Sequence, residues 1–419
     1  MAKEILLMNI AVMGYGVVGS GVAELLEKNH DQIVKKCQQD EMRLKYILDR
    51  RTFPGDKNEN LVVADFEKII SDDSVKIVVE TMGGLHPAYE FVLECLNAGK
   101  SVVTSNKELV AEKGCELLKA AKEHNANFLF EASVGGGIPI IRPITQCLAA
   151  NDIDEIAGIL NGTTNFILTM MIKQGMTFDD ALRLAQKNGY AERDPSADIQ
   201  GHDACRKIAI LAALCFGKHV YPADIETEGI TEITLADVDY AASWGGVIKL
   251  IARAKKLDSG KITAIVSPAF VEYGSQLEGV DDVFNAILVR GDAIGDVVFY
   301  GRGAGKLPTA SAVVADVIDC AQHMKERKDF GWGEGEEGYV SSYLDIKTAL
   351  YIRFTTDNKD AVLADAQNIF GGVKVLHRDN APADEAAFTT PVATEKELRE
   401  KLTALSGAKI ESVIRITDY

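Results

Sequence analysis

The sequence has 419 residues, of which 47% are hydrophobic and 26% charged, and its formal net charge at pH 7 is −17. A chain of this length exceeds one ordinary hydrophobic core, so we expect two or three domains. The acidic balance argues against nucleic acid as a partner, because phosphate binding needs clustered Lys and Arg. Since no apolar run reaches the roughly 18 residues that would span a bilayer, we also expect no membrane segment.

Two further features bear on where the protein works. The stretch from Met1 to Met13 is apolar from Ile5 onward and runs directly into a glycine turn, which predicts a first strand and not a secretion signal. The seven cysteines are scattered and include no C-x-x-C pair, so neither a disulfide framework nor a zinc site is predicted. We therefore expect a cytoplasmic protein with reduced, mostly buried thiols.

The first third of the chain alternates short apolar runs with longer helical segments. This rhythm predicts a parallel sheet with helices on both faces. The predicted strands are 9–14, 43–49, 76–80, 101–104 and 128–131.

The middle of the chain predicts a second domain of mixed α/β structure. Its helical stretches are followed by strand-like runs, and a glycine-rich and acidic stretch, 331–338, separates this body from the tail. The clearest elements are a helix at 203–216 and strands at 262–271, 286–290 and 296–300.

A tail of about 75 residues follows the glycine-rich stretch and has a complete pattern of its own. The order strand, helix, strand, strand, helix, strand is that of a ferredoxin-like fold. Thr394 and Glu397 are spaced as a capping box at the start of the second helix, and Gly407 is expected to end it. The predicted elements are 348–355, 359–370, 373–377, 386–390, 394–406 and 412–417.

A glycine motif at the end of the first predicted strand indicates a dinucleotide site. Its glycines permit a tight turn, let the backbone approach a pyrophosphate and allow close packing of the following helix, whose N-terminus then faces the anion. A purely structural turn is the alternative. The motif is Gly14-Tyr15-Gly16-Val17-Val18-Gly19.

The end of the second strand carries the residues expected to choose between NAD and NADP. Asp49 can accept a hydrogen bond from a ribose 2′-hydroxyl and would repel a 2′-phosphate, which favours NAD. Arg50 and Arg51 follow at once and could pair with a 2′-phosphate instead, or simply form a solvated turn.

Two clusters of polar residues in the chain suit a polar ligand. Asn161-Gly162-Thr163-Thr164-Asn165 lies between an apolar strand and an apolar helix, where a helix N-cap explains it equally well. Farther on, Asp203 and Lys207 are four residues apart and share a helical face. Spacing alone favours a surface ion pair, but the apolar run 208–216 indicates a largely buried helix.

A third polar group follows the fourth strand of the first domain. Ser105-Asn106-Lys107 falls at its carboxyl end, the edge where open α/β sheets bind their ligands. The sequence therefore places a lysine on the expected nicotinamide side of the cofactor cleft.

Taken together, these segments resemble the homoserine dehydrogenase family in order and spacing, over about residues 5 to 325. The matching segments are Gly14–Gly19, Thr104–Lys107, Glu131–Pro139, Gly158–Asn165, Gly189–Lys207 and Gly303–Gly305 ahead of Pro308 and Thr309.

The resemblance implies an NAD(P)-dependent enzyme that interconverts L-aspartate 4-semialdehyde and L-homoserine, a step in threonine, methionine and isoleucine biosynthesis. It implies that Lys107 and Lys207 are the two active-site lysines, that Asp203 is the acidic neighbour and that Glu192 holds the substrate amino group. Hydride arriving at an aldehyde leaves an alkoxide, which needs a proton donor or a cation, and a lysine supplies both. Asp198, Gly162 and Thr163 complete the expected substrate site, and Thr104, Ser105, Asn106 and Gly303 the expected cofactor site.

The resemblance also implies a structural monovalent cation, Na⁺ or K⁺, a nucleotide domain to which the chain returns, and a homodimer or homotetramer. The cation ligands would be the main-chain carbonyls of Glu131, Val134, Gly136 and Ile138. The predicted fold class is α/β: a Rossmann-type doubly wound parallel sheet (1–138 and 301–330), a mixed α/β catalytic and dimerisation domain (139–300), and a C-terminal ferredoxin-like, ACT-like α+β domain (345–419).

The tail resembles an ACT domain, a fold with which many enzymes of amino-acid metabolism sense an end product. Ala361 stands where the family has a glycine that lets an amino acid approach the backbone. An amino-acid effector such as threonine and a docking or oligomer role are therefore both open.

Two other functions are alternatives to this one. A non-catalytic amino-acid sensor would not need the intact set Lys107, Glu192, Asp203 and Lys207. A dehydrogenase that forms an acyl phosphate would need a nucleophilic cysteine. Cys205 is the only candidate, because Cys147 and Cys215 are expected in the core.

Overall fold

The computed structural model describes residues 7–37 and 41–419. Residues 1–6 of the N-terminal stretch Met1–Met13 therefore lie outside the described residues. The described chain forms two compact units, one from the described residues up to Asn151 with Ala209–Pro222 and Gly301–Glu336, the other from Asp152–Ile208, Ala223–Tyr300 and Glu337–Tyr419. No described helix is both long enough and apolar enough to cross a membrane.

The first part of the chain builds a six-stranded parallel sheet in the order β3-β2-β1-β4-β5-β6. This is the strand order of dinucleotide-binding folds, whose ligand lies where the order reverses, between β1 and β4. The elements are β1 (Leu7–Met13), α1 (Val17–Lys28), α2 (His30–Cys37), β2 (Glu41–Leu48), β3 (Val62–Val63), α3 (Glu67–Ile70), β4 (Val75–Glu80), α4 (Ala88–Asn97), β5 (Ser101–Thr104), α5 (Lys107–Glu123) and β6 (Phe128–Leu129).

Two details of this sheet differ from the sequence expectation. The two-residue strand β3 was not predicted, because its strand-like run is shorter than a periodic pattern can reveal. The last strand stops at Leu129, and Glu131, expected to end it, begins a helical turn instead. The reason is that the Glu131 carboxylate accepts the backbone N–H groups of Ile140, Ile141 and Arg142 (2.6, 2.8 and 3.0 Å).

The middle of the chain supplies the helices of the candidate substrate site and most of a second sheet. The elements are β7 (Ile153–Ile159), α6 (Gly162–Gln174), α7 (Phe178–Lys187), α8 (Ser196–Ile199), α9 (His202–Phe216), β8 (Glu226–Thr227), α10 (Leu235–Trp244), β9 (Gly246–Lys256), β10 (Ile262–Glu272), β11 (Phe284–Gly291) and β12 (Gly295–Arg302).

The chain then returns to the first unit through α11 and adds the tail to the second. Helix α11 packs on α1, where Lys306 pairs with Glu24 at 2.7 Å and a Cβ on Gly21 would lie 3.0 Å from that of Ala310. The remaining elements are α11 (Lys306–Gln322), β13 (Val340–Ser341), β14 (Lys347–Thr355), α12 (Lys359–Phe370), β15 (Lys374–Leu376), β16 (Glu385–Thr389), β17 (Ala393–Thr394), α13 (Glu395–Thr403) and β18 (Lys409–Thr417).

The tail has the predicted order of strands and helices except for the additional two-residue strand β17, and its sheet continues the sheet of the middle segment. The path runs β12-β11-β7-β9-β10-β18-β14-β16-β15, with β18 parallel to β10 and antiparallel to β14. Along the same edge of β10, β13 and β8 pair with residues 262–263 and 265–266, and β18 with residues 269–271. The tail therefore shares backbone hydrogen bonds with the rest of its unit.

The second tail helix begins where predicted but lacks the full capping box. The Thr394 hydroxyl accepts the backbone N–H of Glu397 at 3.3 Å, whereas the Glu397 carboxylate accepts Lys401 Nζ at 2.8 Å. The helix ends at Thr403, before Gly407. The predicted reciprocal bond is thus replaced by an ion pair one turn along the helix.

Candidate active site

The three glycines of the first turn have three different roles in the structure. Gly14 has φ +93°, and a Cβ there would lie 2.9 Å from the backbone of Thr81 and Met82. A Cβ on Gly19 would lie 2.0 Å from the Gly14 carbonyl oxygen, so this glycine permits the close approach of α1. A Cβ on Gly16 would meet no atom of the described residues within 4 Å. Because Gly16 has no side chain, the backbone of this turn is accessible to a ligand. The turn therefore fits a pyrophosphate.

The other residues of this turn contribute mainly backbone. Tyr15 N donates to Asp49 Oδ2 (2.8 Å), while the Tyr15 hydroxyl turns to Asp56 and Asn58 (3.2 and 2.9 Å). Val17 begins α1 and is 67% exposed. The helix N-terminus itself is therefore open to a ligand, whereas the Tyr15 ring packs against the loop that follows β2.

Asp49 at the end of β2 is held by an arginine of its own turn. Arg51 Nε and Nη2 donate to the two carboxylate oxygens of Asp49 at 3.0 and 2.7 Å, and Arg51 N donates to Oδ1 at 3.0 Å. These hydrogen bonds hold the pKa of the Asp49 carboxyl well below its ordinary value. Arg50 is exposed, and both arginines line a cavity of about 560 Å³ that also borders Gly14, Gly16 and Thr81.

A buried glutamate organises the end of the sheet where Lys107 begins α5. Glu80 accepts the Thr104 hydroxyl (2.5 Å) and the backbone N–H groups of Met82 and Gly83 (2.7 and 3.2 Å). Burial raises the pKa of the Glu80 carboxyl above its ordinary value. Sequence reasoning missed this residue, although a carboxylate that ends a mostly apolar strand was the pattern that could have revealed it.

The predicted Thr104–Lys107 group lies at the carboxyl end of β5. The Thr104 hydroxyl also accepts Asn106 N at 2.9 Å, and Asn106 caps α5 by accepting Leu109 N at 3.1 Å. Asn106 Nδ2 donates to the Gly84 carbonyl at 2.7 Å. Thr104 and Asn106 are therefore buried framework residues, while Ser105 and Lys107 are half-buried at the sheet edge.

Within the second unit, hydrogen bonds connect the predicted residues Asn161, Asp198, Asp203 and Lys207 into one group. Asn161 caps α6 by accepting Thr164 N at 2.8 Å. Its Nδ2 atom donates to Asp198 Oδ1 at 2.7 Å and to Asp203 Oδ2 at 2.9 Å. Lys207 Nζ donates to the same Asp203 oxygen at 2.7 Å and to the carbonyl oxygen of Leu160 at 2.7 Å. Asn161 is thus both the helix cap and a link between the two carboxylates.

Burial rules out the surface ion pair that spacing alone favoured. Lys207 is 7% and Asp203 4% exposed. A buried ammonium is costly unless it is paired, so the carboxylate and the Leu160 carbonyl together keep a cation stable in this position. As the ammonium, such a group can donate a proton to a substrate oxygen, and as the neutral amine it can accept one.

The remaining predicted substrate residues lie around the N-terminus of α6 and the loop before α8. The Thr163 hydroxyl donates to the Tyr190 carbonyl at 2.6 Å, and Gln186 Nε2 donates to the Glu192 carbonyl at 3.1 Å. The Glu192 side chain is exposed. A Cβ on Gly162 would lie 2.8 Å from the Val283 carbonyl, so this glycine allows α6 to start against the neighbouring chain.

The segment of the expected cation site is fixed by close backbone packing. A Cβ on Gly136, where φ is +57°, would lie 2.1 Å from the Gly303 carbonyl oxygen, and Gly137 N donates to the Arg302 carbonyl at 3.1 Å. The Glu131 carboxylate accepts backbone N–H groups of residues 140–142. Rigid main-chain carbonyls suit a hard monovalent ion. Among the described residues, no cluster of three His, Cys, Asp or Glu side chains could hold a metal ion.

The cysteines do not form a second site. Cys205 is buried on α9. Cys147, expected in the core, is exposed because the irregular helical turn 143–147 turns it outward, and Cys215 is half-buried. The expectation for Cys147 was therefore wrong.

Comparison with known proteins identifies the family that shares these features. A family model described as homoserine dehydrogenase matches residues 139–318, and one described as the NAD-binding domain of homoserine dehydrogenase matches residues 14–131. The homoserine dehydrogenase of Synechocystis is 44% identical over 319 residues, which cover 74% of this chain and 73% of the relative. That of Corynebacterium glutamicum is 36% identical over 427 residues, covering 98% of this chain and 95% of the relative.

Solved structures give the same result. A homoserine dehydrogenase from Thiobacillus denitrificans superimposes with a TM-score of 0.89 at 35% identity and covers 98% of each chain. One from S. aureus gives 0.82 at 32% identity and covers 99% of this chain and 100% of its own. A hyperthermophilic archaeal homoserine dehydrogenase in complex with NADPH gives 0.63 at 30% identity, covering 75% of this chain and 97% of its own.

Proposed function

Since the chain belongs to the homoserine dehydrogenase family, NAD(P)-dependent oxidoreductases that act on a CH–OH group, we propose that Lys207 is the proton-transfer residue for the interconversion of L-homoserine and L-aspartate 4-semialdehyde. The observation that carries this proposal is the buried Lys207–Asp203 pair. The pathway context we propose is threonine, methionine and isoleucine biosynthesis in the cytoplasm.

Bound NAD(P) supplies the hydride acceptor or donor. In the oxidative direction, the neutral amine of Lys207 accepts the hydroxyl proton of homoserine and becomes the ammonium, while the C–H bond breaks, its electron pair leaves as hydride, and a C=O bond forms. In the reductive direction, Lys207 returns a proton to the alkoxide that forms when hydride reaches the aldehyde carbon. Asp203, at 2.7 Å, orients Lys207 and stabilises its charged form. We propose Lys107 as the second active-site lysine.

We propose that the substrate amino acid is recognised by carboxylates and by the start of α6. Glu192 is exposed and able to pair with the substrate ammonium group. Asp198 lies 2.7 Å from the Asn161 amide, within the same hydrogen-bonded group as Asp203. Gly162 and Thr163 offer backbone N–H groups at a helix N-terminus, which suit the substrate carboxylate.

We propose that the cofactor lies over the turn Gly14–Gly19, with its adenosine ribose toward Asp49 and Arg50, its nicotinamide toward Thr104–Lys107, and Gly303 beside it. Asp49 favours NAD. The Arg51 pairing neutralises that carboxylate, and a related archaeal enzyme was solved with NADPH, so we expect NADP to be used as well.

The same resemblance supports further proposals on a bound cation, on the oligomeric state, on the division into domains and on an effector. We propose a monovalent cation, Na⁺ or K⁺, on the carbonyls of Glu131, Val134, Gly136 and Ile138, and a homodimer or homotetramer. We also propose a nucleotide-binding domain (1–138 and 301–330), a catalytic and dimerisation domain (139–300) and an ACT-like tail (345–419) able to bind an amino-acid effector.

The direct test of the reaction is spectrophotometric. Purified protein with L-homoserine and NAD⁺ or NADP⁺ at alkaline pH should raise the absorbance at 340 nm. Lys207→Ala should abolish most of this change, whereas Lys187→Ala, which removes an exposed lysine on α7, should not. No change in absorbance with either cofactor would exclude the proposed reaction.

A further inference from the structure

Arg415 in the last strand of the tail binds a glutamate far away in the sequence. Arg415 Nη1 and Nη2 donate to the two carboxylate oxygens of Glu228 at 2.8 and 2.9 Å. On the other side, Arg415 Nε and Nη2 donate to Glu395 at 2.7 Å each. Both Arg415 and Glu395 are buried. A bidentate pair of this kind fixes position and orientation as well as charge.

Glu228 belongs to a short segment, residues 226–230, that begins with β8, lies against α8 and is called here the 226–230 turn. Its backbone N–H donates to the Val266 carbonyl of β10 at 2.8 Å, which fixes one side of the turn. Ile230 N donates to the Ile199 carbonyl at 2.8 Å, which fixes the other. A Cβ on Gly229 would lie 2.2 Å from the same Ile199 oxygen. The turn and the end of α8 are therefore in direct backbone contact, with no room for a side chain between them.

Helix α8 carries Asp198, the residue next to Ile199. Because α8 has only four residues, its own hydrogen bonds cannot hold it in place. Asp198 reaches the Asn161 amide, which in turn bonds Asp203. The position of the Asp198 carboxylate thus depends on the turn that Arg415 and Glu228 anchor.

We propose that Arg415 is a positioning residue for the substrate site: through Glu228 and the 226–230 turn it holds α8 so that Asp198 stays aligned with Asn161. This gives the tail a role in substrate affinity that needs no bound effector. The inference rests on the proposed function of Asp198 in substrate binding. Arg399 Nη2 also pairs with Glu395 at 2.7 Å, so the ion-pair cluster around Arg415 contains two arginines and two glutamates. This balance of charge explains why Arg415 and Glu395 tolerate burial.

The chain offers a matched control in Arg378. This arginine also belongs to the tail and is half-buried in the contact between the tail and the rest of the unit. It pairs with one tail carboxylate, Glu385, at 2.8 Å and with one outside the tail, Asp239 of α10, at 3.8 Å. Its partners do not belong to the 226–230 turn. Arg378→Met should therefore weaken the docking of the tail without moving α8.

Steady-state kinetics on the full chain tests the positioning role. Arg415→Met should raise the KM for L-homoserine about 5- to 20-fold, the size of a typical coupling between contacting residues, with kcat changed less than about threefold. Glu228→Gln should give the same change, and the double variant no more than either alone. Arg415→Lys should lie between, because lysine cannot form the bidentate pair. Arg378→Met should leave KM within about twofold.

Hydrogen–deuterium exchange supplies a readout that does not depend on activity. Backbone amides of residues 196–203 should exchange faster in Arg415→Met than in wild type, and at the wild-type rate in Arg378→Met. Unchanged exchange in Arg415→Met, or equal acceleration in both variants, would overturn the positioning role. A wild-type protein inactive on homoserine but with this exchange pattern would instead refute the proposed function and leave the structural coupling standing.

Discussion

The Arg51 guanidinium covers the Asp49 carboxylate, contacting Oδ1 at 3.0 Å through Nε and Oδ2 at 2.7 Å through Nη2. The carboxylate expected to repel a 2′-phosphate is thereby partly neutralised by a residue of its own turn. The same arginine would be available to an anion if Asp49 were absent. Cofactor preference in this protein should therefore depend on the pair and not on Asp49 alone.

Asp49→Ser should shift the ratio of kcat/KM for NADP⁺ over NAD⁺ upward by about tenfold or more, since one fewer repulsive charge and one freed arginine both favour a 2′-phosphate. The measurement is initial-rate kinetics with both cofactors at saturating homoserine. Adding Arg51→Ala should remove most of the gain. A ratio that stays at the wild-type value in Asp49→Ser would show that neither residue governs the choice.

Lys207 Nζ donates to Asp203 Oδ2, so we expect the two residues to act together in proton transfer. Lys207→Ala should lower kcat by about 10² to 10⁴, the range of a general acid, and Asp203→Ala in that background should cost little more, because the orienting group has nothing left to orient. Single-turnover hydride transfer in the double-mutant cycle measures this. Fully additive losses would mean that Asp203 contacts the substrate on its own account.

Alanine substitutions at Gly16 and Gly19 of the Gly14–Gly19 turn should have opposite effects on stability and on cofactor binding. Gly16→Ala should fold normally, with its melting temperature unchanged, because the new methyl group meets no described residue. Its dissociation constant for NAD⁺ should rise about tenfold or more, since the methyl group obstructs the approach of the pyrophosphate. Gly19→Ala should be strongly destabilised, because its Cβ would lie 2.0 Å from the Gly14 carbonyl oxygen. Thermal melting and cofactor titration separate the two, and a cofactor affinity of wild-type strength in Gly16→Ala would contradict the assignment.

His219 and Trp332 form a buried contact within the first unit. Trp332 Nε1 donates to His219 Nδ1 at 3.0 Å, and His219 N donates to the Gly333 carbonyl at 3.0 Å. Burial lowers the pKa of His219 to about 4. The imidazole is therefore neutral in the folded protein, and the contact fastens the 331–336 segment.

The lowered pKa of His219 predicts acid sensitivity. Because the unfolded chain binds this proton more tightly, the stabilising contribution is complete above pH 6.5 and is lost as the pH falls toward 4, by roughly 3 kcal/mol at most. His219→Asn keeps an acceptor for Trp332 but cannot be protonated, so its stability should fall less between pH 7 and 5. Fluorescence-detected melting in the Trp244→Phe background reports on Trp332 alone, and exposed His124→Asn is the control. Parallel losses in wild type and His219→Asn would contradict this.

The residues that the sequence could place are those governed by local spacing. The i,i+4 relation of Asp203 and Lys207, the cap at Asn161 and the glycine turn all depend on neighbours within a few residues, where helix and turn geometry is fixed. The tail helix 359–370 has the bounds that its periodicity predicted.

Contacts between distant segments could not be read from one sequence. Asn161 and Asp198 are 37 positions apart, and Arg415 and Glu228 are 187 apart. Nothing in the sequence of the turn 226–230 indicates that it faces α8. Likewise, Glu80 looks like an ordinary strand end until the backbone N–H groups that it accepts are seen. Such partners arise from the packing of the whole unit.

The pairing of β18 with β10 has a practical consequence for anyone who shortens the chain. A truncation that removed residues from 337 onward would take away both β13 and β18, and would leave two stretches of the β10 edge with unpaired N–H and C=O groups. An uncovered edge of this length is a template for pairing between molecules. A minimal version of this protein made by deleting the tail should therefore aggregate on expression, even though every residue proposed for chemistry would still be present.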